Sequence, residues 1–428
     1  MWRPEWDGFV AIIKDRVKPA LGCTEPVSTA LAAAYATHLL GCQPERLEVL
    51  VSGNLLKNGM GVGIPGTGEV GLPIAAALGS TCGNPDKGLE VLADVTPDFV
   101  KSAKAMVEAN RVSIAVTETP SVLYSEVLAT AGNESARVII RDGHTNVTLQ
   151  ERNGKAVMEA SVQDPEHFAD KEVSTPEMSI EAIYEFATTA DLDKLMFIEE
   201  SAQLNCALSE AGLHEDFGLK IGKTFKKNIE RGYLTEDLSV LAMMRSSAAS
   251  DARMDGAMLP AMSNSGSGNQ GIAATMPVVA VAEQIKASTE QLIRALVLSH
   301  LSAIHIKSHL NTLSALCGAT TAATGASVAI TWLLGGKLDE VSNSIFNMFG
   351  DVTGMFCDGA KTGCSLKVST SASAAIKAAL MALDGIRITG HEGIIEDDLE
   401  KTIDNIGLLG NQGMAETDTM ILKIMTTK

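Results

Sequence analysis

The sequence predicts an α+β fold in which a mainly helical domain receives an inserted α/β domain containing a sheet. From Arg46 onward, short β-branched runs separated by Gly, Pro, Asn and Asp replace helical spacing. Near residue 170, across the polar and proline-containing stretch SVQDPEHFADKEVSTPEMS, long helical patterns take over and persist. A chain of 428 residues with 46% hydrophobic content can bury more than one core. These observations assign 1–44 and 170–428 to the helical domain and 45–169 to the insert.

The elements follow in order. Trp6, Phe9, Val10, Ile13 and Val17 mark an amphipathic helix over 5–20, and Pro26, well placed in a first turn, opens a second that runs to Leu40. LEVLVSG, LEVLADV, VSIAVTE, VLYSEVLAT, ARVIIRDG and NVTLQER read as strands, interrupted by helices near 72–79 and 96–108. Ser288 with Gln291 forms a capping box for a helix extending to Ala315–Cys317. No Lys, Arg, Asp or Glu occurs between Lys307 and Lys337, but the stretch is too rich in Thr, Ser, Gly, Asn and His for a membrane span. It reads as two buried helices broken near Gly318. Residues 366–383 and 397–408 complete the helical set.

A formal charge of −18 repels phosphate backbones and anionic bilayers, so neither nucleic acid nor a membrane is expected as a partner. MWRPEWDGFVAIIKDR has no apolar stretch leading to a cleavage site, and a cytoplasmic location follows. Seven cysteines in that compartment point to metal binding or catalysis rather than disulfides. The oligomeric state is not set by composition, and a homo-oligomer is compatible with it.

In CDGAKTGC, Cys357 and Cys364 flank glycines that let the backbone turn and two thiolates converge; Cys317, at the expected end of a helix, supplies a third. Three cysteines suit a [4Fe–4S] cluster with one open iron, or zinc with an open position. Cys23 stands just before a helix, where unpaired N–H groups depress a thiol's pKa and make it a base, a nucleophile or a fourth ligand. Cys42, Cys82 and Cys206 have no such surroundings. The segment SNSGSGNQGIAA, with Ser263, Asn264, Ser265, Ser267 and Asn269, suits a small carboxylate. Gly61, Gly63 and Gly66 have dinucleotide-loop spacing with Asp94 downstream, but Pro65 inside the loop and the short following helix argue against a cofactor there. Asn54, Lys57 and Asn58 remain within reach of a substrate. His305 and His309 share one helix face without the Glu of a zinc-protease motif.

Together LGCTEP at 21–26, KNGMGVGIPG at 57–66, ARMDG at 252–256, SNSGSGNQGI at 263–272, LCG at 316–318 and CDGAKTGC at 357–364 resemble the L-cysteine desulfidase family, relatives of the iron–sulfur L-serine dehydratases. The likeness extends over nearly the whole chain. It implies an oxygen-sensitive [4Fe–4S] cluster on Cys317, Cys357 and Cys364, with Cys23 as acid/base or fourth-site cysteine. The implied reaction converts L-cysteine to sulfide, ammonia and pyruvate without pyridoxal phosphate. Serine dehydratase relatives can place a C-terminal cysteine on the open iron, whereas this sequence closes on KIMTTK, which fits the desulfidase branch. Elimination needs a base at Cα, a role for Cys23, and a Lewis acid on sulfur. The polar segment with Asn58 would hold the substrate, and Lys361 would stabilise charge beside the cluster. L-Serine dehydration by the same site is the nearest rival. A redox or metal-sensing scaffold without turnover is the alternative from another class.

Overall fold

The computed structural model describes residues 2–160, 178–310 and 315–427; the boundary expected near 170 lies outside them. Helix α1 (Trp6–Arg16) buries Trp6, Phe9 and Ile13, the apolar stripe that its spacing demands. After β1 (Pro19–Ala20), α2 (Thr24–Leu40) begins with Cys23 as its N-cap, two residues earlier than the proline suggested. Pro26 still fits, because the first four helical N–H groups have no intrahelical partner.

The sheet unit contains β2 (Arg46–Val51), α3 (Gly53–Gly59), α4 (Leu72–Cys82), α5 (Pro97–Glu108), β3 (Val112–Val116), β4 (Tyr124–Ala131), β5 (Glu134–Arg141), β6 (Val147–Arg152) and β7 (Lys155–Glu159). Its strand order is β3-β2-β4-β5-β6-β7, with β2 and β3 parallel and every other pair antiparallel. Alternate residues Leu47, Val49 and Val51 of β2 are buried, as a sheet covered on one face requires. The cover is α2 with α4: Ala30, Leu31, Ala33 and Ala34 share one apolar cluster with Val49, Val127, Val138 and Ile140. Thus α2, grouped by sequence with the helical part, packs on the sheet. LEVLADV is not a strand. Pro85 opens a 3₁₀ turn over Pro85–Glu90, and Gly88 takes a positive φ of 53° that breaks extended geometry.

The remaining elements are α6 (Ile180–Thr189), α7 (Glu199–His214), α8 (Ile221–Glu230), α9 (Leu238–Met254), β8 (Ala261–Met262), α10 (Gly268–Gln284), α11 (Thr289–Ser308), α12 (Gly318–Leu333), α13 (Leu338–Val352), α14 (Cys364–Leu383), α15 (Leu399–Leu408) and α16 (Ala415–Thr426). The chain is therefore mainly helical α+β. The expected capping box is present, but α11 ends at Ser308, short of Ala315–Cys317. Helix α12 lies among α10, α11, α13 and α14, and that burial accounts for the charge-free run. Among the described residues α14 alone has the length and apolarity of a membrane span; it packs against α9, α12 and α13.

Candidate active site

Two seams bring distant segments to one place. In the first, β1 pairs antiparallel with β8. The Ser263 amide and hydroxyl then both donate to the Lys18 carbonyl, at 2.9 and 2.6 Å, and the Ser265 amide donates to the Arg16 carbonyl at 2.9 Å. Thr24 Oγ1 donates to the Gly266 carbonyl at 2.9 Å, so Cys23 stands beside the start of α10. In the second, Ala315–Cys317 runs alongside Met355–Cys357: the Cys357 amide donates to the Ala315 carbonyl at 2.6 Å and the Cys317 amide to the Met355 carbonyl at 2.9 Å. Gly359, at φ 92°, then turns the chain across the Lys57 carbonyl, which a Cβ would approach to 2.2 Å. Only glycine suits that position.

The result is a cavity of about 110 Å³ lined by Cys23, Cys317, Cys357 and Cys364. Three of the four sit at helix N-termini: Cys23 caps α2, Cys317 caps α12 and Cys364 opens α14. Cys317 is therefore at a helix start, not the helix end expected for it. Cys23 also departs from expectation. Burial pushes its thiol up to about 12, outweighing the nearby Arg253 guanidinium, which pulls it down, while Glu25 raises it further. Burial likewise pushes Cys317 up to about 12, with the neighbouring Cys357 adding to the effect, and raises Cys364. No disulfide joins any of these cysteines.

Of the expected substrate contacts, Ser265, Ser267, Asn269 and Asn58 line the cavity. Asn58 Oδ1 lies 4.0 Å from Cys357 Sγ, on α3 rather than on a loop. Ser263 and Asn264 do not line it. Ser263 is held by Lys18, and buried Asn264 donates through Nδ2 to His300 Nδ1 at 3.0 Å and to the His300 carbonyl at 3.2 Å. Lys361 is also absent from the lining: its ammonium pairs with Asp358 Oδ2 at 2.6 Å. Lys57, a candidate for reaching substrate, instead pairs with Asp418 at 2.5 Å. His305 and His309 face Glu400 and Asp404 on α15, and Asp94 pairs with Lys87.

The cavity also contains Glu25, His144, Arg253, Gln270 and Lys307, whose roles the sequence pattern does not reveal. Glu25, Arg253 and Gln270 lie inside the motifs LGCTEP, ARMDG and SNSGSGNQGI, so a signal for them existed. His144, from the hairpin between β5 and β6, carried none, and burial lowers its pKa. Lys307 borders the charge-free run, and burial pushes it down to about 8 against the opposing influence of Cys357.

Cysteine thiolates are the donor set of iron–sulfur centres. Among the described residues no three His, Cys, Asp or Glu side chains stand close enough to hold a single metal ion. Three cysteines nonetheless line one cavity from separate elements. Cys317, Cys357 and Cys364 are the residues that would hold such a cluster.

A family model described as serine dehydratase alpha chain matches residues 86–423. The chain is 54% identical over 426 residues to a UPF0597 protein of Aeromonas hydrophila subsp. hydrophila, covering 100% of this chain and 97% of the relative. It is 53% identical to a UPF0597 protein of Photobacterium profundum, covering 99% of each, and 50% identical to one of Oleidesulfovibrio alaskensis, covering 100% of each.

Proposed function

The chain belongs to the serine dehydratase alpha-chain family, and from that premise we propose that this dehydratase-like lyase eliminates sulfide from L-cysteine, leaving ammonia and pyruvate. The observation that carries the reading is the gathering of Cys23, Cys317, Cys357 and Cys364 around one cavity. When bound by the last three, a [4Fe–4S] cluster with an open iron supplies a Lewis acid for the departing sulfur. Cys23 holds the proton-transfer position at Cα. Burial favours its protonated thiol, and positive charge beside it favours the thiolate, as Arg253 already does. Ser265, Ser267 and Asn269 offer short polar groups to the substrate, and Asn58 closes the wall beside Cys357. Elimination gives aminoacrylate, and tautomerisation with hydrolysis completes the reaction.

The family match favours L-serine dehydration as a second reading, with hydroxide leaving in place of sulfide. Anaerobic reconstitution tests both. We expect about four irons per chain and a broad iron–sulfur absorption band, with sulfide and pyruvate released in equal amounts from L-cysteine. Cys23→Ser should abolish turnover while leaving iron content nearly intact, because a hydroxyl is a far weaker acid than a thiol and cannot take over as base. Stoichiometric zinc without inorganic sulfide would remove the cluster. Pyruvate from L-serine alone would transfer the assignment to the dehydratase, and turnover of neither would leave a scaffold.

A further inference from the structure

Two side chains of opposite formal charge line this cavity, and neither has an ion-pair partner among the described residues. Glu25 is 9% exposed and Arg253 3% exposed. Among the described residues, Glu25 has no cation within ion-pair distance, and its carboxylate accepts only from Thr24 Oγ1, at 3.2 Å. Arg253 has no carboxylate among them either. Its Nη2 donates to the Gly22 carbonyl at 3.2 Å, its Nη1 lies 3.2 Å from Met254 Sδ, and its Nε has no acceptor among the described residues. Ionised side chains withdrawn from water in this way are costly unless a counter-charge arrives.

We propose that Glu25 and Arg253 form the head-group receptor for an L-α-amino acid, Glu25 taking the α-ammonium and Arg253 the α-carboxylate. The inference rests on the amino-acid substrate proposed above and assigns residues to its recognition. A simple anion would leave Glu25 uncompensated and a simple amine would leave Arg253 so; a zwitterion satisfies both. Placement agrees. Glu25 follows Cys23 by two residues in the first turn of α2, Arg253 is tied to the carbonyl just before Cys23, and both charges act on the Cys23 thiol. Cys317 and Cys357 line the same cavity. A head group held beside Cys23 therefore directs its β-substituent toward the remaining cysteines. Fixing ammonium, carboxylate and β-carbon presents Cα–H to Cys23 for one enantiomer only.

The test uses ligands that cannot eliminate, with the reconstituted enzyme and calorimetric binding. L-Alanine keeps both charges, propionate lacks the ammonium, ethylamine lacks the carboxylate and D-alanine inverts the centre. Wild type should prefer L-alanine to propionate and to ethylamine by about tenfold or more, since a site that leaves a buried polar group unpaired rejects the analogue lacking its partner, and should prefer it to D-alanine because the inverted centre cannot place both charges and the β-carbon together. Glu25→Gln should reduce the preference over propionate to about twofold, and Arg253→Gln the preference over ethylamine likewise. If Arg253→Gln fails to fold, the Glu25→Gln comparison decides alone. Equal wild-type affinity for propionate and L-alanine, or unchanged preferences in the variants, overturns the receptor even if L-cysteine is turned over. The expected preferences in a protein that turns over neither L-cysteine nor L-serine uphold it and sink the elimination instead.

Discussion

Asp251 is a carboxylate with no exposed surface, and near neutral pH it weakens the fold. Its Oδ2 accepts from the Ile221 and Gly222 amides at 2.6 and 3.3 Å, no well-aligned donor reaches Oδ1 among the described residues, and burial pushes the group up to about 6. A folded pKa above the unfolded value gives stability that is complete below about 4 and lost as pH rises through about 6, on the order of 3 kcal/mol. Urea unfolding of metal-free protein should therefore show Asp251→Asn gaining on wild type between about pH 4.5 and about pH 7.5; a constant difference would refute the assignment. Asn264 belongs to the same scale. It serves His300, whose burial pushes it down to about 3 and keeps it neutral, with Nε2 3.1 Å from Thr275 Oγ1. Asn264→Ala should cost about 1–3 kcal/mol of stability and leave KM unchanged, whereas a raised KM would return Asn264 to substrate binding. The sequence could not separate Asn264 and Ser263 from Ser265, Ser267 and Asn269. All five are short polar residues close together in sequence, and Ser263 and Asn264 are drawn away by Lys18 and His300, which lie far away in the chain.

Close helix contacts fix the elements that carry the site. Gly325 lets α12 approach α11: a Cβ there would come within 2.3 Å of the Ser299 carbonyl oxygen and 2.9 Å of the Ala303 amide nitrogen. Both neighbours are backbone, so the helices themselves must separate, and Gly325→Ala should destabilise by about 1–3 kcal/mol. Because Cys317 caps α12, the same variant should load less iron at equal protein concentration; unaltered melting and loading would show that α12 has room to shift. Long periodic helices and alternating strands were legible because one spacing serves one geometry. Short apolar runs were not. LEVLADV carries strand composition, but Pro85 and Gly88 bend the segment before it. Ala315–Cys317 reads as helix, yet it is drawn into pairing with Met355–Cys357, a partner that periodicity along one segment cannot reveal.

At the scale of the molecule, the cavity lies where separate apolar clusters meet. Cys317 belongs to the large helical cluster, the sheet and α2 form another, and Cys23, Val62 and Met254 form a small third one against Ala360 and Cys364. Convergence of that kind was legible for the four cysteines, whose chemistry demands company, and not for His144, which the sheet unit delivers from a hairpin. The last helix shows how such an assembly is held together. No residue of α16 is buried, so its hold depends on a few contacts beside the cavity. Asp418 pairs with Lys57, only 1% exposed; Leu422 covers Gly53, and the Met425 methyl lies 3.3 Å from where a Cβ of Gly359 would be. Lys57 adjoins Asn58, and Gly359 lies between Cys357 and Cys364, so α16 braces two walls of the site. Asp418→Asn removes the counter-charge of a buried ammonium, a loss of about 3–5 kcal/mol when one partner of a buried pair is deleted. Undocking α16 relieves that loss by returning Lys57 to water, and it does so without unfolding the bundle. Hydrogen exchange in the variant should therefore rise across 415–426 while α12 stays protected, and Cys357 should react faster with a thiol reagent. Exchange rising equally in α12 would mean that the pair supports the whole fold, and unchanged exchange would mean that the apolar contacts hold α16 unaided.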